Sequence, residues 1–389
     1  MSTRQLNLSV EFLTSLGDIP AAQWNQLAGT DYPFMRHEFL WGLEETGCVN
    51  AKTGWQPCHA IIRDGRNDEL LGLLPLYLKS HSYGEYVFDW SWAEAWQRNG
   101  LTYYPKLLTA IPFTPATGPR LCLAPGYHKK DLWPPLLKAI REFAESRHIS
   151  SWHLLFPQPD EAELLEKEGL HMRTATQFHW FNQGFGCFDD FLATFSSRKR
   201  KNLRRERKRV AEQGFVLHTL CGSEISAQHW QQFYRFYQHT YAKRSGHGGY
   251  LNREFFTRTA ASMGDQVVMV LAYLHDEAVA GALFFRSHDT LYGRYWGCEQ
   301  EYDCLHFEAC YYQGIEYCIA NGLKRFDPGA QGEHKIQRGF RPVKTCSNHW
   351  ISDPRLSDAI ADFTRQEQAH TKEYIQQTTA MLPFRADDP

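Results

Sequence analysis

Two segments of this chain concentrate residue types that do chemistry. Residues 326–335 read Phe-Asp-Pro-Gly-Ala-Gln-Gly-Glu-His-Lys, with Glu333, His334 and Lys335 side by side after two glycines. Glutamate and histidine accept protons, and a lysine stabilises negative charge as it develops. Glycine allows a closer backbone approach to a ligand than other residues do. A solvated turn is the bland alternative, but dense polar character directly after a strand favours function. The second segment is residues 197–209, in which nine of thirteen residues are Lys or Arg. On a helix these cations surround the cylinder, so no broad apolar face is buried. Charge runs are commonly solvated surface. Guanidinium groups nevertheless pair phosphate oxygens in a bidentate way, and this density in a chain of net charge -2 points to an anion-binding surface. Leu203 and Val210, seven apart, form its buried side and place Arg204 and Arg205 beside the seam.

Weaker constellations lie elsewhere. Cys298, Cys304, His306, Glu308 and Cys310 include zinc-ligating residue types but no paired C-x-x-C spacing, so packed thiols and no metal are expected. His306 and Glu308 stand just before and at the start of a helix, as acid–base candidates or as plain capping groups. Gly246-His-Gly-Gly-Tyr250 lies between helices and fits neither a P-loop nor a dinucleotide fingerprint. No G-x-S-x-G elbow occurs. Residues 104–120 carry Pro105, Pro112, Pro115 and Pro119, with Lys106 and Arg120 as cations, and are expected to run extended along an edge or cleft wall.

The elements that must position these groups alternate between strand and helix. Residues 6–12, 58–63, 70–79, 152–156 and 172–181 read as strands in the first half, with 64–68 as a hairpin turn. Residues 20–27, 36–46 and 160–168 read as helices, and Pro134-Pro135 opens another. In the second half Ser226 caps a helix carrying Trp230, Phe233, Tyr237 and Tyr241 at helical spacing. Residues 253–263 and 307–320 are further helices. Residues 215–219, 267–274, 278–286, 290–297 and 325–327 are strands. At 389 residues, with 43% hydrophobic and 22% charged composition, the chain is an ordinary globular protein too long for one core. The Met1 end has no basic start or apolar run of a signal peptide, and no 18-residue apolar stretch occurs, so cytoplasmic localisation and no membrane insertion are expected. The ten cysteines show no disulfide framework spacing.

Residues 104–120, 305–314 and 329–345 together resemble a bacterial FemAB-like family of peptidoglycan biosynthesis/recognition proteins, placed among GNAT-type acyltransferases. The resemblance covers nearly the whole chain. It implies an α+β fold of two tandem GNAT-like domains with mostly antiparallel sheets flanked by helices, drawn at residues 1–183 and 184–352 and followed by a helical tail at 353–389. It further implies acyl or aminoacyl transfer to an amine, the acceptor being a peptidoglycan-precursor peptide. In that group a basic helix opens the second domain, and a late lysine, matched by Lys335, is functional. His334, Glu333 or His306 would take the amine proton, with Glu308 beside them. Lys335 or backbone N–H groups would stabilise the oxyanion. Arg204, Arg205, Lys106, Arg120 and Gln331 would bind the anionic substrate. No tightly bound cofactor is expected, and the donor stays open between aminoacyl-tRNA and acyl-CoA. Residues 297–306 and 89–94 lack the glycine pattern that holds a pyrophosphate. A non-catalytic module binding a phosphorylated precursor or RNA, and an acyl-CoA-dependent transferase acting on a small metabolite, are the competing readings.

Overall fold

The computed structural model describes residues 7–246, 248–260, 262–330 and 332–385. The chain forms two units, Met1–Ala175 with Lys344–Lys372, and Thr176–Val343 with Glu373–Pro389. In the first, strands β1 (Leu8–Leu13), β3 (His59–Asp64), β4 (Glu69–Leu74) and β7 (Cys122–Leu123) make an antiparallel sheet. A second sheet joins β2 (Trp55–Pro57), β5 (Tyr77–Lys79), β6 (Lys106–Thr109) and β8 (Ser151–Leu155), with the strand Arg341–Ile351 antiparallel to β8. The continuous strand expected over residues 70–79 is therefore two strands in different sheets, parted at Pro75, which cannot donate a ladder hydrogen bond. Nor does the proline-rich segment run along an edge. Its β6 lies between β5 and β8, and the prolines flank it.

Helices of this unit are α1 (Ala21–Ala28), α2 (His37–Glu45), α3 (Trp90–Arg98), α4 (Lys129–Glu145) and α5 (Pro159–Lys167). α4 begins before Pro134-Pro135, which lie inside it. Leu132, Leu136 and Ile140 recur along its buried face and pack with Ala60, Leu74, Leu107 and Leu154 of the strands. Each such side chain contributes about 1.5–3 kcal/mol by burial.

The second unit is built on β9 (His171–Phe181, from Thr176 onward), β10 (Val216–Cys221), β11 (Val267–Leu274), β12 (Glu277–Arg286), β13 (Thr290–Cys298) and β14 (Arg325–Asp327). β10 to β13 form an antiparallel meander. β14 then pairs parallel to β13 and antiparallel to β9. Helices α6 (Phe188–Ala193) and α7 (Ser197–Glu212) precede β10, and α8 (Ala227–Ser245) links β10 to β11. α9 (Leu305–Phe307), a π-helical turn Glu308–Tyr312 and α10 (Gln313–Ala320) carry the crossover. Ser226 caps α8 by accepting the His229 N–H. Residues 255–260, expected within an α-helix, are π-helical, with Phe255 and Phe256 buried.

Both units thus place antiparallel strands before a helix-bearing crossover to a parallel strand, from β6 through α4 to β8 and from β13 through α10 to β14. This is the tandem α+β architecture expected from the sequence. The long helix α11 (Pro354–Ala380) closes the chain. Among the described residues no helix is long and apolar enough to cross a membrane.

Candidate functional site

Asp327 ends β14 and the chain turns at once. Gly329 (φ 89°) and Gly332 (φ 105°) take left-handed backbone, and a Cβ on Gly332 would meet the His334 ring at 2.5 Å. Only glycine fits there. The turn feeds a short 3-10 helix, Glu333–Arg338, which buries Lys335, Ile336 and Arg338 and leaves Glu333 and His334 exposed. Ile336 anchors it in the core beside Phe326 and Phe340.

The exposed pair have partners. Glu333 Oε1 accepts the Tyr374 hydroxyl at 2.5 Å. His334 Nε2 lies 2.8 Å from Tyr311 Oη, and its ring centroid lies 5.7 Å from both Phe307 and Tyr311. Partial burial, helped by the Lys335 and Arg338 charges, pushes the imidazole down to about 4. It is neutral at pH 7 and can accept a proton. Lys335, 2% exposed, donates to Gly329 O at 2.7 Å and Ala330 O at 3.4 Å. Burial lowers its pKa to about 8 against the opposing pull of Asp327.

Beneath this turn sits a buried charge cluster. Asp327 Oδ1 accepts the Gly329 N–H at 2.8 Å and lies 3.3 Å from an Arg294 Nη and 3.6 Å from His179 Nε2. Burial acts to raise the Asp327 pKa, but His179, Arg294 and the Gly329 N–H outweigh it and hold the carboxyl ionised. Asp327 Oδ2 and His179 Nδ1 have no hydrogen-bond partner among the described residues. Leaving such atoms dry costs about 1–3 kcal/mol each, a cost borne where function requires it.

Other candidates from the sequence fall into different surroundings. The His306 ring packs 5.4 Å from Trp296 and Tyr311 and 6.3 Å from His334, and burial with the neighbouring His334 pushes it down to about 3. Glu308 is buried and accepts both Arg207 Nε (3.1 Å) and Nη2 (2.9 Å), so it anchors α7 and is not poised as an acid or base. Arg204 is exposed and pairs with Asp189 at 2.9 Å. Arg205 is exposed without a partner among the described residues and shares a stripe with Arg198 and Lys201. Leu203 and Val210 form the buried side of α7.

Lys106 and Arg120 belong to the first unit, and both are buried. Lys106 is paired with Glu85 (2.8 Å) and Asp89 and bonds Ser82. Arg120 spends its guanidinium on the carbonyls of Leu155 (2.8 Å), Ala116 (2.8 Å) and Pro119 (3.0 Å). Both side chains hold the first unit together from within, Lys106 through ion pairs and Arg120 through carbonyls, and neither is exposed. Gln331 lies outside the described residues, as does His247 of the glycine-rich loop. Among the described residues no group of three or more His, Cys, Asp or Glu is arranged to hold a metal ion.

A cavity of about 450 Å³ opens beside His306, between the last turns of α8 and the loop after β13. Its walls include Trp296, Phe307, Tyr302 and Arg244. Arg244, Trp296, Tyr311, His179, Asp327 and Arg338 join the site through the fold. Arg338 bonds Tyr312 Oη, His334 O and Glu206 Oε1, and stacks 3.4 Å from the Phe307 ring centre. Only Asp327 and Arg338 carried a local signal, through their place in the motif.

Among solved structures the chain is similar to FemX (14% identity, 83% of this chain and 93% of that one, TM-score 0.49). It is also similar to a tandem GNAT protein from the clavulanic acid biosynthesis pathway (12% identity, 89% and 99%, TM-score 0.46). L-PGS from Bacillus licheniformis aligns at 12% identity over 83% of this chain and 95% of that one, with TM-score 0.47. A comparison with curated proteins finds no match. The family model described as FemAB-like, peptidoglycan biosynthesis/recognition, matches residues 15–386. Extending over nearly the whole chain and through the 329–338 turn, that match makes this protein a member of the FemAB-like family.

Proposed function

We propose that this protein transfers an acyl or aminoacyl group to an amine in peptidoglycan synthesis, using the 329–338 turn of the second unit. One observation carries the reading. A neutral, surface-reaching imidazole, His334, stands next in sequence to a buried ammonium, Lys335, on one rigid turn. The amine nitrogen attacks the acyl carbonyl carbon, and His334 takes the proton that nitrogen sheds. Bonding to carbon makes the nitrogen more acidic than the free ammonium, which eases the transfer to this weakly basic imidazole. The positive charge of Lys335 and the N–H groups of the turn stabilise the oxyanion. As the tetrahedral adduct collapses, the bond from carbon to the donor's leaving atom breaks, and His334 returns the proton to that atom. Glu333 is tied to Tyr374, and the His306 ring is less exposed and less basic than that of His334, so His334 is the better base.

The donor reading favours an aminoacyl ester over acyl-CoA. The loop after β13 presents Glu299, Glu301 and Asp303 in place of a phosphate-binding glycine pattern. Purified protein is to be incubated with charged tRNAs, and separately with acyl-CoAs, beside a precursor peptide bearing a free amine. Amide product from one donor class, lost in His334→Ala, supports the proposal. Folded protein that makes no product with any donor refutes it. The exposed stripe Arg198, Lys201 and Arg205 favours a second reading, a module that binds a polyanion without chemistry. Under that reading salt-sensitive binding persists in His334→Ala and no product forms.

A further inference from the structure

The cavity beside His306 has an unusual charge balance. Three carboxylates stand on its rim, and each is matched by a cation: Glu299 by Arg235, Glu301 by Lys243 at 2.7 Å, and Asp303 by Arg209 at 2.8 Å. Arg244 also lines the cavity, is exposed, and has no hydrogen-bond or ion-pair partner among the described residues. It lies in the last turn of α8, where the helix dipole favours a cation. That position alone explains a positive residue, but not a guanidinium turned to a cavity with its donors unspent. Trp296, Tyr302 and Phe307 supply apolar walls, and about 450 Å³ is within the range of small-molecule sites.

We infer that this cavity binds a substrate through one carboxylate, clamped by Arg244, as at the C-terminal end of a short peptide. One uncompensated positive charge matches one negative charge. A phosphate, carrying nearly two, would face three rim carboxylates with no surplus cation beyond Arg244. A carboxylate suits the guanidinium fork and accepts two parallel N–H bonds. The His306 ring both lines the cavity and lies 6.3 Å from the His334 ring, so a peptide anchored at Arg244 extends toward the candidate base. Arg244 is near enough to His306 to help keep that ring neutral. The direction of the substrate rests on the transfer reading, whereas the carboxylate clamp does not.

Calorimetry on the full chain without any donor keeps the two apart. The probes are N-acetyl-alanyl-alanine and its C-terminal amide, which differ only in the carboxylate. The acid should bind at least tenfold more tightly than the amide. Arg244→Gln should erase that preference with the melting temperature unchanged, and Arg244→Lys should restore part of it. Equal binding of acid and amide, no binding of either at millimolar concentration, or an Arg244→Gln variant that still prefers the acid would each overturn the inference. Tighter binding of inorganic phosphate than of the acid would overturn it in favour of a phosphate site. A chain that fails to transfer but prefers the acid sinks the transfer reading and leaves the clamp standing.

Discussion

Replacing Lys335 by Met removes a buried ammonium and keeps an unbranched chain of similar length. The lysine is 2% exposed, and burial takes its pKa from 10.5 to about 8. A fall of this size makes the charged form cost about 3 kcal/mol, at ~1.36 kcal/mol per pH unit. Methionine escapes that cost but gives up the bonds to the Gly329 and Ala330 carbonyls, about 1–2 kcal/mol once those oxygens are left dry. Asp327 keeps Arg294 and His179 as partners. The variant should therefore be more stable at pH 7 by about 1–2 kcal/mol, a rise of several degrees in melting temperature at roughly 2–4 °C per kcal/mol. The pH dependence is the sharper check. Between pH 8 and 10.5 the unfolded chain keeps the lysine proton that the folded chain has released, so wild-type stability climbs with pH. The variant lacks this group, so its advantage should fade over that window and then reverse. Urea unfolding of both proteins at pH 7 and pH 10 measures the difference directly. A variant destabilised by more than about 1 kcal/mol at pH 7, or an advantage identical at the two pH values, would refute the reasoning. If transfer activity is lost in the same variant, stability and function oppose each other at this residue, the pattern of a site held under tension for activity.

Three further outcomes are expected. His334→Ala should lower kcat by about 10²–10⁴-fold. Because burial pushes this imidazole down to about 4, the wild-type pH–rate profile should show no ionisation near pH 6.5 from it. Arg120→Met should cost at least about 3 kcal/mol in urea unfolding, since three backbone carbonyls lose a charged donor in a fully buried setting. Alanine at Arg198, Lys201 and Arg205 together should leave stability within about 0.5 kcal/mol per site, while reducing the slope of log affinity for RNA against log salt by about 2.

What could be read in the sequence was what neighbours along the chain decide. Ser226 and the Trp230, Phe233, Tyr237 stripe specify α8 because cap and period are local. The brief strand Arg325–Asp327 and the polar turn after it were equally visible. The division of residues 70–79 between two sheets was not, because which strand each half pairs with depends on distant segments. His179 and Asp327 meet only because β9 pairs with β14, and no spacing in either strand announces it. In the sequence Glu308, Lys106 and Arg120 look available for the same reason. A sequence displays a charge but hides the partner that spends it. Arg244 is the converse: an ordinary helix cation in the sequence, it is distinguished in the fold by rim carboxylates that its neighbours neutralise.

The basic helix shows how that bookkeeping separates holding from reading. Leu203 and Val210 are the buried residues of α7, worth about 1.5–3 kcal/mol each. Two contacts seven residues apart fix the helix axis, but resist rotation about it weakly. Arg207 adds constraint by bridging Glu308 and Glu316, with Glu308 only 5% exposed, and Glu206 adds more through Arg338. Arg204, Lys208 and Arg209 are spent on Asp189, Glu212 and Asp303. Removing the Arg207 charge strands a buried carboxylate and should cost about 3–5 kcal/mol. Removing the charge of Arg205 strands nothing. With the helix locked in rotation, the stripe of Arg198, Lys201 and Arg205 stays turned to solvent, and a polyanion can reach its charges without first breaking an ion pair.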